Sequence, residues 1–462
     1  MFRVNLQTMA YFYILTFPFF GFSLLNIGGR ALLRPDWLVG GLLLIWFSLE
    51  SLQRRARVPF NLTSILIGLY IASGILSGIN VLGASSSAQF IDFTTKALQL
   101  LLVTPVFFVI TSLPARMSVV RTCLRFWVFS GFVVSIHAIY QLFAQVFNLP
   151  FATFALTNPT ISRGIQSART LFGYTQPTSV FQEPSYMGAF LGPCLLLTTV
   201  FVLEQQSETF FFRRRYLNWW MLTTIALAVM LSNSQAILAS IIITLLWVGG
   251  GGLLRRKQVV KLIVLVIGIL FLVGIVLRTM GIDYLTAFAY RAQYLLLNIM
   301  DPYGSSEVTS FANRWERINA GVDVWRTHPL LGVGLGNMGY YTNVHDWSNS
   351  PWVQLLVEQG ALGLFLLALV FTTLFFHLFW CLHRLSTDSY WRSLLIAVLS
   401  LVVLTAVDGL FTLNWTHPQR IFTLAFANWI ALQAQSVIVY QWHQQAQLLI
   451  SSPRVSATSV ST

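Results

Sequence analysis

Arg314 and Arg317 stand one helical turn apart in a chain that carries few charges. Side chains at i and i+3 share a helix face. Each guanidinium offers a planar fork of donors, so the pair suits the oxygens of a diphosphate. The same polar stretch continues through His345, Asp346 and Asn349 to Glu358, which lies four residues past Gln354. A histidine among acids and arginines is a candidate general base, although an isolated one is more often structural. An upstream stretch holds Arg163 and Arg169 ahead of Gly173, then Glu183-Pro184-Ser185. Proline in a first helical turn loses no hydrogen bond. Glu183 beside that terminus either complements the helix dipole or faces substrate. Pro329–Asn337 contains a GxG, but a dinucleotide fingerprint requires a preceding strand and a βαβ unit. Gly334 and Gly336 read instead as a turn that lets a ligand or a helix approach the backbone closely. There is no H-E-x-x-H, no D-x-D and no P-loop, so neither a metal nor a cofactor is expected, and ATP-driven transport by this chain alone is disfavoured.

The elements that must position these residues are apolar. The chain has 462 residues, 56% hydrophobic and 9% charged, with mean hydropathy +0.70. A soluble domain carries about 25% charged residues, so the solvent of this chain is lipid. A hydrocarbon core about 30 Å thick takes about 20 residues of helix. Twelve runs meet that need: about 9–28, 37–53, 61–80, 94–113, 126–147, 184–203, 216–232, 236–254, 259–279, 361–382, 393–413 and 421–441. The pair joined by SNSQ should be a tight hairpin. The 61–80 run, with Ser73, Ser77 and several glycines, should pack against protein. Cys123, Cys194 and Cys381 lie in or beside apolar runs and read as buried hydrophobes. No small-residue cleavage site follows the first run, so a retained first helix is expected.

Charge orients the spans. With the N-terminus cytoplasmic, the inner side holds 17 basic and 4 acidic residues and the outer side 11 and 11. That agrees with the positive-inside bias. The net charge of +13 is therefore topological and gives no reason to expect nucleic acid. The outer arginines run against the bias, so each is a candidate for a role or for pairing with an outer acid. The outer loops 148–183 and 280–360 are far longer than the others, and long loops in compact proteins are functional or disordered. Both are rich in aliphatic and aromatic residues, which argues for order. Residues 284–300 should lie along the membrane surface or wall a cavity. Phe311, Trp315, Ile318, Val322 and Trp325, spaced 4, 3, 4 and 3, predict an amphipathic helix; the alternative to diphosphate binding by its arginines is intrahelical pairing, for example Asp323 with Arg326. Ser350-Pro351 then opens another helix. The chain reads as one polytopic domain over 1–462, with a cytoplasmic tail at 442–462.

The order R-W-E-x-x-x-A-x-x-x-W-x-x-x-P-L-L-G-V-G-x-G-N, then a His-containing loop, then W-V-Q-L-L-V-E-x-G-x-L-G-L runs from Arg314 through Leu364. It resembles the O-antigen polymerase and O-antigen ligase superfamily. F-x-E-P-S-x-x-G-x-x-L at Phe181 to Leu191 is similar to the polymerase branch. The resemblance implies an all-α integral membrane protein of about twelve transmembrane helices with a large helical extracytoplasmic loop, a GT-C-like architecture in the bacterial inner membrane. It implies a metal-independent glycosyltransferase without cofactor. Its donor and acceptor would be undecaprenyl-diphosphate-linked glycans, and a chain-length regulator is a candidate partner. A ligase transferring glycan to a lipid A core is the alternative, and a lipid-linked oligosaccharide flippase a further one. Arg314 matches the family's diphosphate-binding arginine in the large loop. Arg169 is the best match for the second, with Arg163 in reserve and Arg317 beside Arg314. The family's His-Asn ahead of E-x-G falls here on Asn349-Ser350, with His345 four residues earlier. The base is therefore His345, Glu183 or Asp346, with Gly334, Gly336, Asn349 and Glu358 shaping the site.

Overall fold

Apolar runs fold here as helices because, in lipid, each backbone N–H must find its partner within its own segment. The computed structural model describes residues 5–27, 30–53, 57–83, 86–114, 116–153, 170–171, 174–253, 256–290, 293, 310–342, 350–410 and 417–451. In chain order the helices are α1 Leu6–Leu15, α2 Pro35–Leu52, α3 Leu62–Leu76, α4 Ile79–Leu82, α5 Ser87–Val103, α6 Val106–Thr111, α7 Met117–Phe147, α8 Pro184–Leu203 and α9 Ser207–Phe210. They continue as α10 Arg215–Ser232, α11 Gln235–Gly250, α12 Arg256–Thr279, α13 Ser310–Thr327, α14 Met338–Tyr341, α15 Pro351–Arg384, α16 Ser389–Asp408 and α17 Pro418–Ser451. Two small antiparallel ribbons, β1 Leu25–Ile27 with β2 Arg30–Leu33 and β3 Thr170–Leu171 with β4 Tyr174–Thr175, cap loops. The protein is an all-α integral membrane protein.

Each of the twelve apolar runs falls at least in part on helix. Among the described residues seven helical segments are long and apolar enough to cross a membrane: Leu62–Leu82, Ser87–Thr111, Met117–Phe147, Pro184–Leu203, Pro351–Arg384, Ser389–Asp408 and Pro418–Gln445. Ala236–Gly250 and Val266–Thr279 are apolar but shorter. The first run departs from the expected single span. Pro18 falls in a 3-10 turn, Phe17–Gly21, after α1, and the chain then enters β1. A proline there cannot continue the α-helical bonding, and the tighter turn takes over.

The hairpin at SNSQ is as tight as its four residues require: α10 ends at Ser232, α11 begins at Gln235, and Asn233 adopts φ 44°. The three cysteines are free and buried. Ser73 and Gly74 of α3 face protein: Ser73 Oγ donates to Gln359 Oε1 at 3.2 Å, and a Cβ on Gly74 would lie 2.5 Å from Leu100. Residues 284–290 are helical, and Tyr284 donates its hydroxyl proton to the Met230 carbonyl at 2.8 Å, so this part of the 284–300 segment docks on α10.

Two halves meet at α16. Helix α8 is buried along most of its length and packs against α7, α10, α11 and α16. Helix α15 packs against α3, α13, α16 and α17. Trp352 Nε1 at the start of α15 donates to the Ala406 carbonyl at 3.0 Å. Gln419 Nε2 at the start of α17 donates to the Phe190 carbonyl of α8 at 3.0 Å. The end of α16 and the start of α17 thus tie the head of α15 to the head of α8 at one end of the bundle.

Candidate functional site

The stretch after α13 is locked to α15 through backbone. Val333 N–H donates to the Val357 carbonyl at 2.9 Å and Gly334 N–H to the Glu358 carbonyl at 3.1 Å. From the other side, Ala361 N–H donates to Pro329 O at 2.8 Å and Leu362 N–H to Leu330 O at 3.2 Å. This crossing interrupts α15 at Gly360, whose φ of 68° and ψ of −170° only glycine adopts without strain. A Cβ on Gly360 would collide with the Leu330 carbonyl, and one on Gly332 (φ 69°) with the Val357 carbonyl. Gly334 and Gly336 have φ of 95° and 76°. A Cβ on Gly334 would strike Val81 of α4, and one on Gly336 would lie 2.7 Å from Lys96 of α5. The close approach expected of these two glycines is therefore to helices. Gly332 and Gly360 belong to the same device.

That lock fixes α13. A Cβ on Gly321 would lie 2.8 Å from Val353, so the two helices touch backbone to side chain. Val324, Val333, Met338 and Val357 form a small apolar core with Trp325 and Val353 against it. Trp325 Nε1 donates to the Pro329 carbonyl at 3.0 Å, and Asp323 pairs with Arg326 at 2.9 Å as the spacing predicts. Helix α13 spans Ser310–Thr327 and carries Arg314 and Arg317 in its backbone, one turn apart. The Arg317 side chain is half-buried.

Beneath the lock lies a polar cluster between α5 and α15. Gln354 Nε2 donates to Glu358 Oε1 at 3.0 Å, and the Gly336 N–H and the Lys96 ammonium also serve the Glu358 carboxylate. Tyr340 of α14 donates to Asp92 Oδ2 at 2.6 Å, and Asn80 Nδ2 to the Gly332 carbonyl at 2.6 Å. Glu358 is thus a buried anchor for the glycine turn. Asp92 and Lys96, i and i+4 within an apolar run, were the signal for its partner helix.

The second half of the site surrounds the head of α8. Pro184 holds the first position and Glu183 the cap, but the Glu183 side chain makes no capping bond; its Oε2 accepts from Ser185 Oγ at 3.2 Å. The incoming loop is held by Gln141 of α7, whose Oε1 accepts from the N–H groups of Thr178 and Ser179 at 2.8 and 2.6 Å. Gln176 Nε2 donates to the Ser232 carbonyl at 3.0 Å. Nearby stand two buried ion pairs, Arg34 with Asp36 and Arg420 with Asp408, each at 2.6 Å. Between them His417 packs edge-to-face with Phe20 at 4.8 Å, and Phe20 also meets Tyr186 at 5.5 Å. Burial first, then Arg34 and Arg420, hold the His417 imidazole well below its ordinary value of 6.5. These residues had no sequence signal beyond acids and arginines flanking a T-H-P-Q-R turn.

The structure brings Gly334, Gly336 and Glu358 together and sets α13 above them, and places Glu183 at the same end of the bundle. Arg163, Arg169, His345, Asp346, Asn349 and the Arg314 side chain lie outside the described residues. Among the described residues no group of His, Cys, Asp and Glu could hold a metal ion.

Residues 220–368, from within α10 to the middle of α15, match a family model described as O-antigen ligase. Over those residues the chain is similar to the O-antigen ligase family. The matched region contains Arg314, Arg317, Gly334, Gly336, His345, Asn349 and Glu358, and so meets the O-antigen polymerase and ligase resemblance on its strongest motif. Arg163, Arg169 and Glu183 lie upstream of it. No curated protein matches the chain. The chain is thus a multi-pass membrane protein with a region similar to O-antigen ligase.

Proposed function

We propose that the protein is a membrane glycosyltransferase that polymerises undecaprenyl-diphosphate-linked oligosaccharide repeats on the outer leaflet of the bacterial inner membrane. The observation that carries this reading is the glycine lock, which fixes the arginine-bearing α13 onto the head of α15 within the matched domain. The E-P-S element at the head of α8 favours a polymerase over a ligase, and the charge bias of the loops favours the outer face.

In this mechanism Arg314, Arg169 and, beside them, Arg317 and Arg163 hold the donor diphosphate. The acceptor hydroxyl oxygen attacks the anomeric carbon while the carbon–oxygen bond to the diphosphate breaks. The hydroxyl proton passes to His345 or Glu183, and undecaprenyl diphosphate departs with both bonding electrons. Fixed guanidiniums stabilise the charge that builds on the leaving group, and holding both substrates supplies proximity. The polyprenyl tails stay in lipid. A chain-length regulator would act on the same outer loops.

The family description itself favours the second reading, a ligase that transfers glycan to a lipid A core. Deletion of the gene separates the two. A polymerase deletion leaves single repeats attached to the surface glycan, whereas a ligase deletion leaves long glycan on its carrier. A normal ladder on a gel would remove both.

A further inference from the structure

The loop that joins α9 to α10 is held by two polar clasps. Arg125 of α7 donates from Nε to the Phe210 carbonyl at 3.1 Å. Two residues on, the buried side chain of Asn218 accepts from the Phe212 N–H at 3.1 Å and donates from Nδ2 to the Phe212 carbonyl at 2.8 Å. Directly after them come Arg213, Arg214 and Arg215, all exposed, and Arg125 is exposed as well. Like charges on consecutive residues repel, yet the clasps hold them together. Gln206, just ahead of α9, donates to Ser389 Oγ at the start of α16 at 3.4 Å. The loop therefore lies at the opposite end of α16 from the Trp352–Ala406 contact and the candidate site. This is the end that the charge bias assigns to the cytoplasm.

The acids around the loop do not neutralise it. Glu204 pairs with Arg392 of α16 and accepts from Gln258 of α12. Asp388 caps α16 through the Tyr390 and Trp391 N–H groups. Glu208 is exposed, one carboxylate against four exposed guanidiniums. Lys257, exposed on α12, adds to the same end, because Gln258 beside it donates to the Leu203 carbonyl at 2.9 Å. Large rings accompany the charge. Arg214 donates to the Tyr216 hydroxyl at 2.8 Å, and Tyr216 and Trp220, 54% and 67% exposed, lie one turn apart on α10. The other faces of α10 pack against α7, α8 and α12, so these rings look outward into lipid. Tyrosine and tryptophan gather at headgroup level, and basic side chains beside them meet the anionic surface of the inner leaflet.

We propose that the clasped loop is a docking surface for the headgroup of an anionic phospholipid. Arg213, Arg214 and Arg215, with Arg125, take its phosphate, and its acyl chains lie against Tyr216 and Trp220. Guanidinium forks suit phosphate oxygens. Orientation bias accounts for basic residues at this end, but not for a backbone clasped at Phe210 and Phe212 to keep three of them together beside exposed rings. The inference goes beyond the glycosyl-transfer reading and does not depend on it.

Native mass spectrometry of the full-length protein released from detergent tests this with three probes: dioleoyl phosphatidylglycerol, dioleoyl phosphatidylcholine and inorganic phosphate. A basic residue at an anionic membrane surface contributes about fivefold in affinity, so three together contribute about 100-fold. The parent is expected to prefer phosphatidylglycerol over phosphatidylcholine. The triple variant Arg213→Gln, Arg214→Gln, Arg215→Gln should bind phosphatidylglycerol about 100-fold more weakly and phosphatidylcholine unchanged. Lysine at the same three positions keeps the charge and should stay within about fivefold of the parent. Equal affinity of the parent for the two lipids, or undiminished phosphatidylglycerol binding in the glutamine variant, overturns the proposal. Inorganic phosphate that competes with phosphatidylglycerol at equal concentration also overturns it, since the site would then serve a free anion. If the triple variant does not fold, Arg213→Gln alone changes one exposed side chain and should cost about fivefold; no loss there is equally contrary.

Discussion

At the scale of single residues, the site divides into groups that bind and groups that hold. Glu358 holds: its carboxylate takes Gln354 and the Gly336 N–H, so its removal should loosen the glycine turn. Arg314 and Arg169 are assigned to binding. Arg314→Ala and Arg169→Ala are each expected to lower polymer formation about 100-fold or more while the protein still inserts, checked by membrane fractionation beside a glycan gel. Full activity in both would remove the diphosphate clamp. His417 makes a separate prediction on stability. Its folded-state affinity for a proton lies below the ordinary one, so the unfolded chain binds the proton first as pH falls. The folded form is thus fully favoured above about pH 6.5 and loses stability below it, by up to about 1.4 kcal/mol per pH unit. Thermal midpoints in detergent from pH 7.5 to 5 should fall less steeply for His417→Gln, and identical slopes would contradict this. The close backbone approach at Gly334 and Gly336 was legible in the sequence because the glycine spacing is a local pattern. His417, Arg420 and Asp408 were not, since their meaning lies in a buried meeting with Arg34 and Asp36 that spacing does not encode.

At the scale of elements, hydropathy located helices well and their interruptions poorly. Helix α8 occupies the expected 184–203, and α13 covers the amphipathic stretch read from its 4-3-4-3 spacing. The span expected over 9–28 breaks at Pro18, where an averaged hydropathy outweighed one proline. The polar helix from Pro351 and the apolar span from 361 meet at a break in α15, because Gly360 leaves the helical conformation where Pro329–Gly334 crosses it. Gly360→Ala tests this crossing. It is strained by backbone conformation, about 1–3 kcal/mol, and by collision with the Leu330 carbonyl. Limited proteolysis should cut between 310 and 350 faster in Gly360→Ala and unchanged in Gly339→Ala, where an added Cβ meets open space. Equal rates would show that the lock does not hold α13.

At the scale of the whole molecule, the end of α16 and the start of α17 tie α8 to α15, and Arg420–Asp408 lies in that joint with side chains 5% and 8% exposed. Breaking a buried pair leaves one charge uncompensated at about 3–5 kcal/mol, whereas replacing both partners with apolar groups is often neutral. Arg420→Met is therefore expected to lower the thermal midpoint sharply and Arg420→Met with Asp408→Leu to restore most of it; an additive loss would contradict the joint. Composition alone made the membrane fold legible, since 9% charge cannot cover a soluble protein of this size. The family resemblance was legible only through the ordered motif from Arg314 to Leu364, because arginines, acids and histidines also serve structure. The most direct measurement places the purified protein in liposomes with undecaprenyl-diphosphate-linked repeats and no nucleotide sugar. Formation of carrier-linked polymer, lost in Arg314→Ala, is the expected result. Repeats that stay single, or that only cross the bilayer, would contradict it.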